Sequence, residues 1–164
     1  MKTSDTLVVF YSRSGFTRRV AQTLAQALGA DLEELHDGRN RSGFLGYLRS
    51  GMEATFGMLP RLTPLSADPT AYERVIVGTP IWNASVSSPV RSFLVGQGRG
   101  CKAVAFFCTL GGSGSARAFR QMVQACGKEP IATMALRDEE IGGPAQASQV
   151  ARLVERLRPA PAPR

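Results

Sequence analysis

Apolar positions along the chain switch repeatedly between a continuous, strand-like spacing and a helical one. Residues 7–11 (LVVFY) are an unbroken apolar run rich in β-branched and aromatic side chains, as a strand covered on both faces requires. Phe16, Val20, Leu24, Ala27 and Leu28 then recur at helical spacing, and Gly29 offers a stop. Residues 31–35 are a weaker, more polar strand, expected at a sheet edge. Leu45, Leu48 and Met52 predict a second helix within residues 42–56, followed by a long connection containing Pro60 and Pro64. Residues 74–78 (RVIVG) read as a third strand. Ser88-Pro89, a capping residue followed by proline at the first helical position, opens a helix carrying Val90, Phe93 and Leu94. Residues 103–108 are a fourth strand, and Ala116, Phe119, Val123 and Cys126 mark a helix ended by Gly127. Residues 131–136 are a fifth strand, and Val150, Leu153, Val154 and Leu157 mark a last helix.

Strand–helix units repeated five times predict a doubly wound α/β domain with a five-stranded parallel sheet, because parallel strands need crossover connections and these are right-handed. Ligands of such sheets bind beyond the carboxyl ends of the strands, where the winding direction switches. That rule selects the loops after strands one, three and four, at residues 12–17, 79–85 and 109–115. One domain is expected over residues 1–158. Residues 159–164 (PAPAPR) lack apolar bulk and are expected to be disordered.

Charge changes this picture little. The formal net charge is +7, yet the cations are scattered singly and no basic run exceeds two residues, so a solvated basic surface is expected and not a nucleic-acid partner. No stretch approaches the ~18 apolar residues of a membrane helix, and no secretory signal is read at the start. Cys101, Cys108 and Cys126 form no CxxC pair and only His36 could assist them, so neither a disulfide framework nor a metal site is expected; three buried thiols suit a reducing cytoplasm.

The first loop, Ser12-Arg13-Ser14-Gly15-Phe16-Thr17, places three hydroxyls between a hydrophobic strand and a helix start. Free backbone N–H groups and the helix dipole favour an anion there, and capping alone needs only one hydroxyl, so a phosphate is the natural guest. No GKS or GKT follows, as a Walker A loop needs, and GxGxxG fails because only one glycine is present. Residues 111–115 (GGSGS) lack the spacing of a G-x-S-x-G nucleophile elbow, which sets hydrolysis aside.

These residues carry a resemblance. VVFYSRSGFT, within residues 7–17, resembles the opening strand and phosphate loop of the flavodoxin family, with its pattern [ST]-x-[ST]-G-x-[ST]. Residues 78–82 (GTPIW) resemble that family's second flavin loop, and residues 106–112 (FFCTLGG) the third; the similarity extends over residues 5–158 in the right order. The resemblance implies a flavodoxin-like sheet with strand order 2-1-3-4-5 and an FMN cofactor. The phosphate would sit on Ser12, Ser14, Gly15, Phe16 and Thr17, with Arg13 adding charge or projecting into solvent. The ring would lie between Thr79, Pro80, Ile81, Trp82 and Asn83 on one side and Thr109, Leu110, Gly111, Gly112, Ser113 and Gly114 on the other. Trp82 is the single Trp of the chain, a face for a flavin to stack on. The glycines would let backbone amides approach the ring edge.

The chain departs from acidic electron-carrying flavodoxins in its charge of +7, in Arg13, and in a third loop whose nearest large residue is Leu110 and not an aromatic. Three functions follow. The leading expectation is a redox carrier docking on a partner protein. The alternatives are an NAD(P)H oxidoreductase acting on a quinone or other small acceptor, and a non-redox binding module of the same fold. Arg13, Arg18, Arg49, Arg91 and Arg117 are candidates for a cationic rim. Phe44, Tyr47, Leu48, Met52 and Phe56 are expected to be mostly core; Phe44, Tyr47 and Met58 are the candidates for a lip near the flavin or a dimer contact.

Overall fold

A computed structural model describes residues 2–38, 43–56 and 58–158. The expected tail, residues 159–164, lies outside the described residues. Five strands form one parallel sheet in the order β2-β1-β3-β5-β6: β1 Thr6–Phe10, β2 Asp31–Glu34, β3 Arg74–Trp82, β5 Val104–Leu110 and β6 Thr133–Arg137. A sixth, β4 Ser85–Val86, folds back antiparallel on the end of β3, pairing Ile81 with Val86 and Trp82 with Ser85. The expected sheet and order are present, with β4 the one addition. Helices α1 Phe16–Leu28 and α5 Pro144–Leu157 pack on each other on one face. Helices α3 Ser88–Gly96 and α4 Ser115–Cys126 pack on each other across the sheet, and α2 is Gly43–Phe56.

Strand pleating explains how one apolar run serves two cores. Leu7, Val9, Val75, Val77, Val104 and Phe106 point into the α3/α4 layer, and their neighbours Val8, Phe10, Ile76, Ala105 and Phe107 point into the α1/α5 layer. All of these are at most 1% exposed, and each fully buried Val, Leu, Ile or Phe contributes roughly 1.5–3 kcal/mol of transfer free energy. Gly78 is required in the middle of this packing. A Cβ there would lie 2.0 Å from Cζ of Phe107, its ladder partner on β5.

Helix α1 buries Thr17, Val20, Ala21, Leu24 and Ala25. Of the positions in its apolar period, Ala27 is exposed and Phe16 turns toward the loops. Gly29 ends the helix with a left-handed φ of +60°, and the Ala30 N–H donates to the Ala25 carbonyl at 2.9 Å. The polar strand β2 is an edge, as expected. Its Asp31 carboxylate accepts from Thr3 and from the Tyr72 hydroxyl at 2.8 Å, which holds the Asp31 pKa down at about 2.

Residues 43–56 and 58–59 depart from expectation. Leu45, Leu48 and Met52 of α2 are 80%, 45% and 60% exposed, and Met58 and Leu59 are exposed too. Leu48 and Met52 are therefore not core: the stripe they form faces solvent. The side chains of Phe44, Tyr47 and Phe56 lie outside the described ones. Among the described residues no helix is long and apolar enough to cross a membrane, and no cluster of His, Cys, Asp and Glu could hold a metal ion. Cys101, Cys108 and Cys126 are buried free thiols, with Cys108 pushed up to about 12 by burial.

Candidate functional site

The direction of winding reverses between β1 and β3, and the loops leaving β1, β3 and β5 converge there on a cavity of about 480 Å³. That volume lies within the range of small-molecule sites, roughly 300–1,000 Å³. Twelve of the seventeen residues that the sequence selects line it: Arg13, Ser14 and Phe16; Pro80, Ile81, Trp82 and Asn83; Thr109, Leu110, Gly111, Gly112 and Ser113. The other five, Ser12, Gly15, Thr17, Thr79 and Gly114, lie behind this lining and shape it.

In the first loop the Ser12 hydroxyl turns inward and accepts from the N–H of Gly15 at 3.1 Å and of Arg18 at 3.2 Å. One serine thus closes the loop on itself and caps the third residue of α1. Gly15 precedes the helix with φ +99°. Thr17 is buried, and its Oγ1 lies 2.8 Å from Oγ1 of Thr109, which ties the first loop to the third. Ser14 remains exposed beside the cavity, next to the α1 N-terminus. That leaves Ser14 and the first-turn amides of Phe16 and Thr17 as the donors for an anion.

The second loop is mostly strand. β3 runs on through Trp82, and Asn83 and Ala84 make a two-residue turn with φ of +48° and +56°. Positive φ at both central residues suits the right-handed twist of a hairpin, and Asn is among the few residues that tolerate it. Thr79 is fully buried; its Oγ1 lies 2.9 Å from Ser87 Oγ and accepts the Ser87 N–H at 3.1 Å, so it fixes the start of α3. Ser87, not Ser88, is the residue that precedes this helix. The Gln121 side chain on α4 accepts from the Val86 N–H at 2.9 Å and clamps the hairpin. Trp82 is only 6% exposed and meets Tyr11 edge to face, centroids 5.4 Å apart at 88°. It is both a core residue and part of the cavity wall.

The third loop reaches the cavity through contacts distant in sequence. Gly114 has φ +110° and abuts the hairpin: a Cβ there would lie 2.5 Å from Ala84 Cα. Arg137 Nη1 donates to the Gly112 carbonyl at 3.3 Å. The next residue, Asp138, lines the cavity, and its Oδ2 lies 3.3 Å from where a Gly111 Cβ would stand. Burial raises the Asp138 pKa. Sequence reasoning does not select Asp138, and it places Ala84 in the second loop without naming it as a contact. Asp138 follows the fifth strand of the expected order, outside the three loops, and only the adjacency of β6 to β5 brings it here.

The candidate rim arginines have different surroundings. Arg13 lines the cavity. Arg18 is engaged across the sheet edge by Glu34, with Nη2–Oε1 at 2.5 Å and Nε–Oε2 at 3.2 Å. Arg91 on α3 is half-buried; its Nε has no partner among the described residues, and burial first, then the charge of Arg117, lowers its pKa.

The donors at the α1 N-terminus suit a phosphate monoester, and the volume of the cavity suits a planar ring joined to it. A family model described as NADPH-dependent FMN reductase matches residues 7–140, which include all three loops and Asp138. Among solved structures, a flavoprotein of Bacteroides uniformis superposes with a TM-score of 0.78 at 22% identity, covering 94% of this chain and 99% of its own. One from Bacteroides eggerthii gives 0.75 at 22% identity, covering 96% and 100%. A flavoprotein from Lactobacillus acidophilus, solved in complex with FMN, gives 0.68 at 20% identity, covering 85% and 95%. At these identities the structures attest the flavodoxin-like fold. No curated protein sequence matches the chain significantly.

Proposed function

This chain belongs to the NADPH-dependent FMN reductase family, with FMN as its cofactor, and from that premise we propose that it is an NAD(P)H oxidoreductase reducing a small acceptor of the quinone class. The observation that carries the reading is the third loop. Leu110 is only 7% exposed, and Gly111, Gly112 and Ser113 line the cavity without offering a ring. Nothing in that loop would cover a flavin, so a planar donor and then a planar acceptor can take turns beside it. A protein-docking carrier needs only an exposed flavin edge, and the family favours the reductase over the carrier expected from the sequence. An FMN cofactor also speaks against the non-redox binding module.

The residues divide the work. Ser14 and the first-turn amides of α1 would hold the phosphate, with Arg13 neutralising charge beside it. Ser12 and the Thr17–Thr109 pair keep that loop in shape. Trp82, braced by Tyr11, would form one wall for the ring, and the Asn83-Ala84 turn holds the third loop in place opposite. Bound FMN supplies two-electron hydride chemistry, which no side chain of the cavity can provide.

The test is anaerobic mixing of FMN-loaded protein with NADPH and with NADH, followed by addition of a benzoquinone. Loss of the oxidised flavin absorbance with either nucleotide, and its recovery with the quinone, is the expected result. Flavin that only a chemical reductant bleaches would favour the carrier.

A further inference from the structure

Among the described residues lining the cavity Asp138 is the one carboxylate, and nothing in the site described so far uses it. It opens a short 3-10 turn, Asp138–Glu140, directly after β6. The two other acids of that turn differ from it. The Glu140 Oε2 accepts the Arg137 N–H at 2.7 Å, and neither Glu139 nor Glu140 lines the cavity. The Arg137 guanidinium, the nearest cation in sequence, is directed to the Gly112 carbonyl. The Asp138 carboxyl makes no hydrogen bond or ion pair with the described residues, and it lies against Gly111, where a side chain would meet Oδ2 at 3.3 Å. The charged groups around it are Arg13 in the cavity wall, Arg19 of α1, whose Nη2 reaches Gly142 just beyond the turn, and Arg137, Glu139 and Glu140 of its own segment. A carboxyl group in this setting is held against the cavity, partly desolvated and free to change its protonation state.

We infer that Asp138 is the proton-holding group of the flavin cavity, taking up a proton when the flavin is reduced and releasing it when the flavin is reoxidised. This rests on FMN occupying the cavity and extends the reductase reading. The balance is simple. Two electrons and one proton entering the flavin leave it with one added negative charge. A second proton, from solvent, binds the Asp138 carboxylate and removes one negative charge, so the cavity gains none. Reduction of a quinone consumes a hydride and a proton; the flavin delivers the first, and Asp138 gives back the second beside it. Burial, which already raises the Asp138 pKa, and a new negative charge nearby both favour the neutral acid, so the two effects act in the same direction.

The experiment measures the midpoint potential of bound FMN across a pH series for the parent, Asp138→Asn and Asp138→Glu, with a chemical reductant and mediators. The amide mimics the protonated acid. At acid pH, where Asp138 is neutral in both redox states, the potentials of parent and Asp138→Asn should converge. As pH rises through the carboxyl pKa of the oxidised protein, the parent should fall below the Asn variant, with a steeper slope, and level off at a constant gap once Asp138 is ionised in both states. Asp138→Glu should restore a pH-dependent gap. Parallel curves for parent and Asp138→Asn at every pH would overturn the assignment. Should Asp138→Asn fail to fold or to bind FMN, carboxyl 13C NMR of Asp138 in the parent decides the matter: its pKa must be higher with reduced than with oxidised flavin, and an equal or lower value overturns the assignment. A parent that binds no FMN sinks both readings. A parent that binds FMN but is not reduced by NAD(P)H sinks only the reductase reading, since the titration uses another reductant.

Discussion

The first and third loops end in the same device and are held in opposite ways. Each leads into its helix through a left-handed glycine, Gly15 with φ +99° before α1 and Gly114 with φ +110° before α4. Around Gly15 there is room, the nearest atom to an added Cβ being Arg18 Nη1 at 3.8 Å. The first loop is organised chiefly by its own residues, through the Ser12 hydroxyl, with one tie to the third loop at Thr17–Thr109. Gly114 is pressed against Ala84, and the third loop takes its shape from the hairpin after β3 and from Arg137 at the end of β6. A loop that shapes itself keeps its form when packing elsewhere changes. A loop shaped by other segments makes the ring end of the cavity sensitive to packing elsewhere.

Substituting the two glycines breaks the comparison most forcefully. Gly114→Ala meets both a forbidden backbone conformation and Ala84, and should cost about 2–4 kcal/mol of stability and most of the FMN affinity. Gly15→Ala meets only the backbone penalty, about 1–2 kcal/mol. Urea unfolding of the apoproteins and FMN titrations measure both; equal losses would show that the hairpin contact does not matter.

A smaller effect tests the bond joining the loops. Thr17→Val, Thr109→Val and the double variant form a cycle whose coupling should be about 0.5–1.5 kcal/mol, the net value of a buried hydroxyl pair. A coupling near zero, read by urea unfolding, would mean that the loops are positioned independently.

The smallest effect concerns the third loop's neighbour in the apoprotein. The folded pKa of Asp138 is raised above 3.8 by burial, so Asp138 favours folding while protonated, and this contribution is lost as pH rises through the folded value. Asp138→Asn should therefore match the parent in thermal midpoint at strongly acid pH and exceed it at neutral pH. A variant less stable at neutral pH would show that the carboxylate has a structural partner.

How much of this is legible in the sequence depends on distance along the chain. The hydroxyl pattern of residues 12–17 predicts an anion-binding loop, and the structure keeps those residues together because Ser12 bonds within six positions of itself. Trp82 is legible as part of the cavity wall, but its burial against Tyr11 is not, because the pairing of β1 with β3 sets that contact. Arg18 has the sequence position of a rim cation, yet Glu34, sixteen residues on, occupies it. The exposed stripe of α2 defeats periodicity for a plain reason: helical spacing shows that one face is apolar, not that anything covers it.

The alternation of apolar runs and helical stripes, residue by residue, determined the doubly wound sheet, its polar edge at β2, the helix stop at Gly29 and the set of loops at the carboxyl ends of the strands. These follow from local period and backbone preference, which each segment carries in itself. The extension of β3 into a hairpin, the seating of Gly114 on Ala84 and the arrival of Asp138 beside Gly111 were decided only by tertiary structure. The last two require segments tens of residues apart to be brought into contact, and the hairpin is held by Gln121 of a distant helix. The hydrophobic burial that assembles these segments is non-directional and leaves no local signature in the residues it brings together.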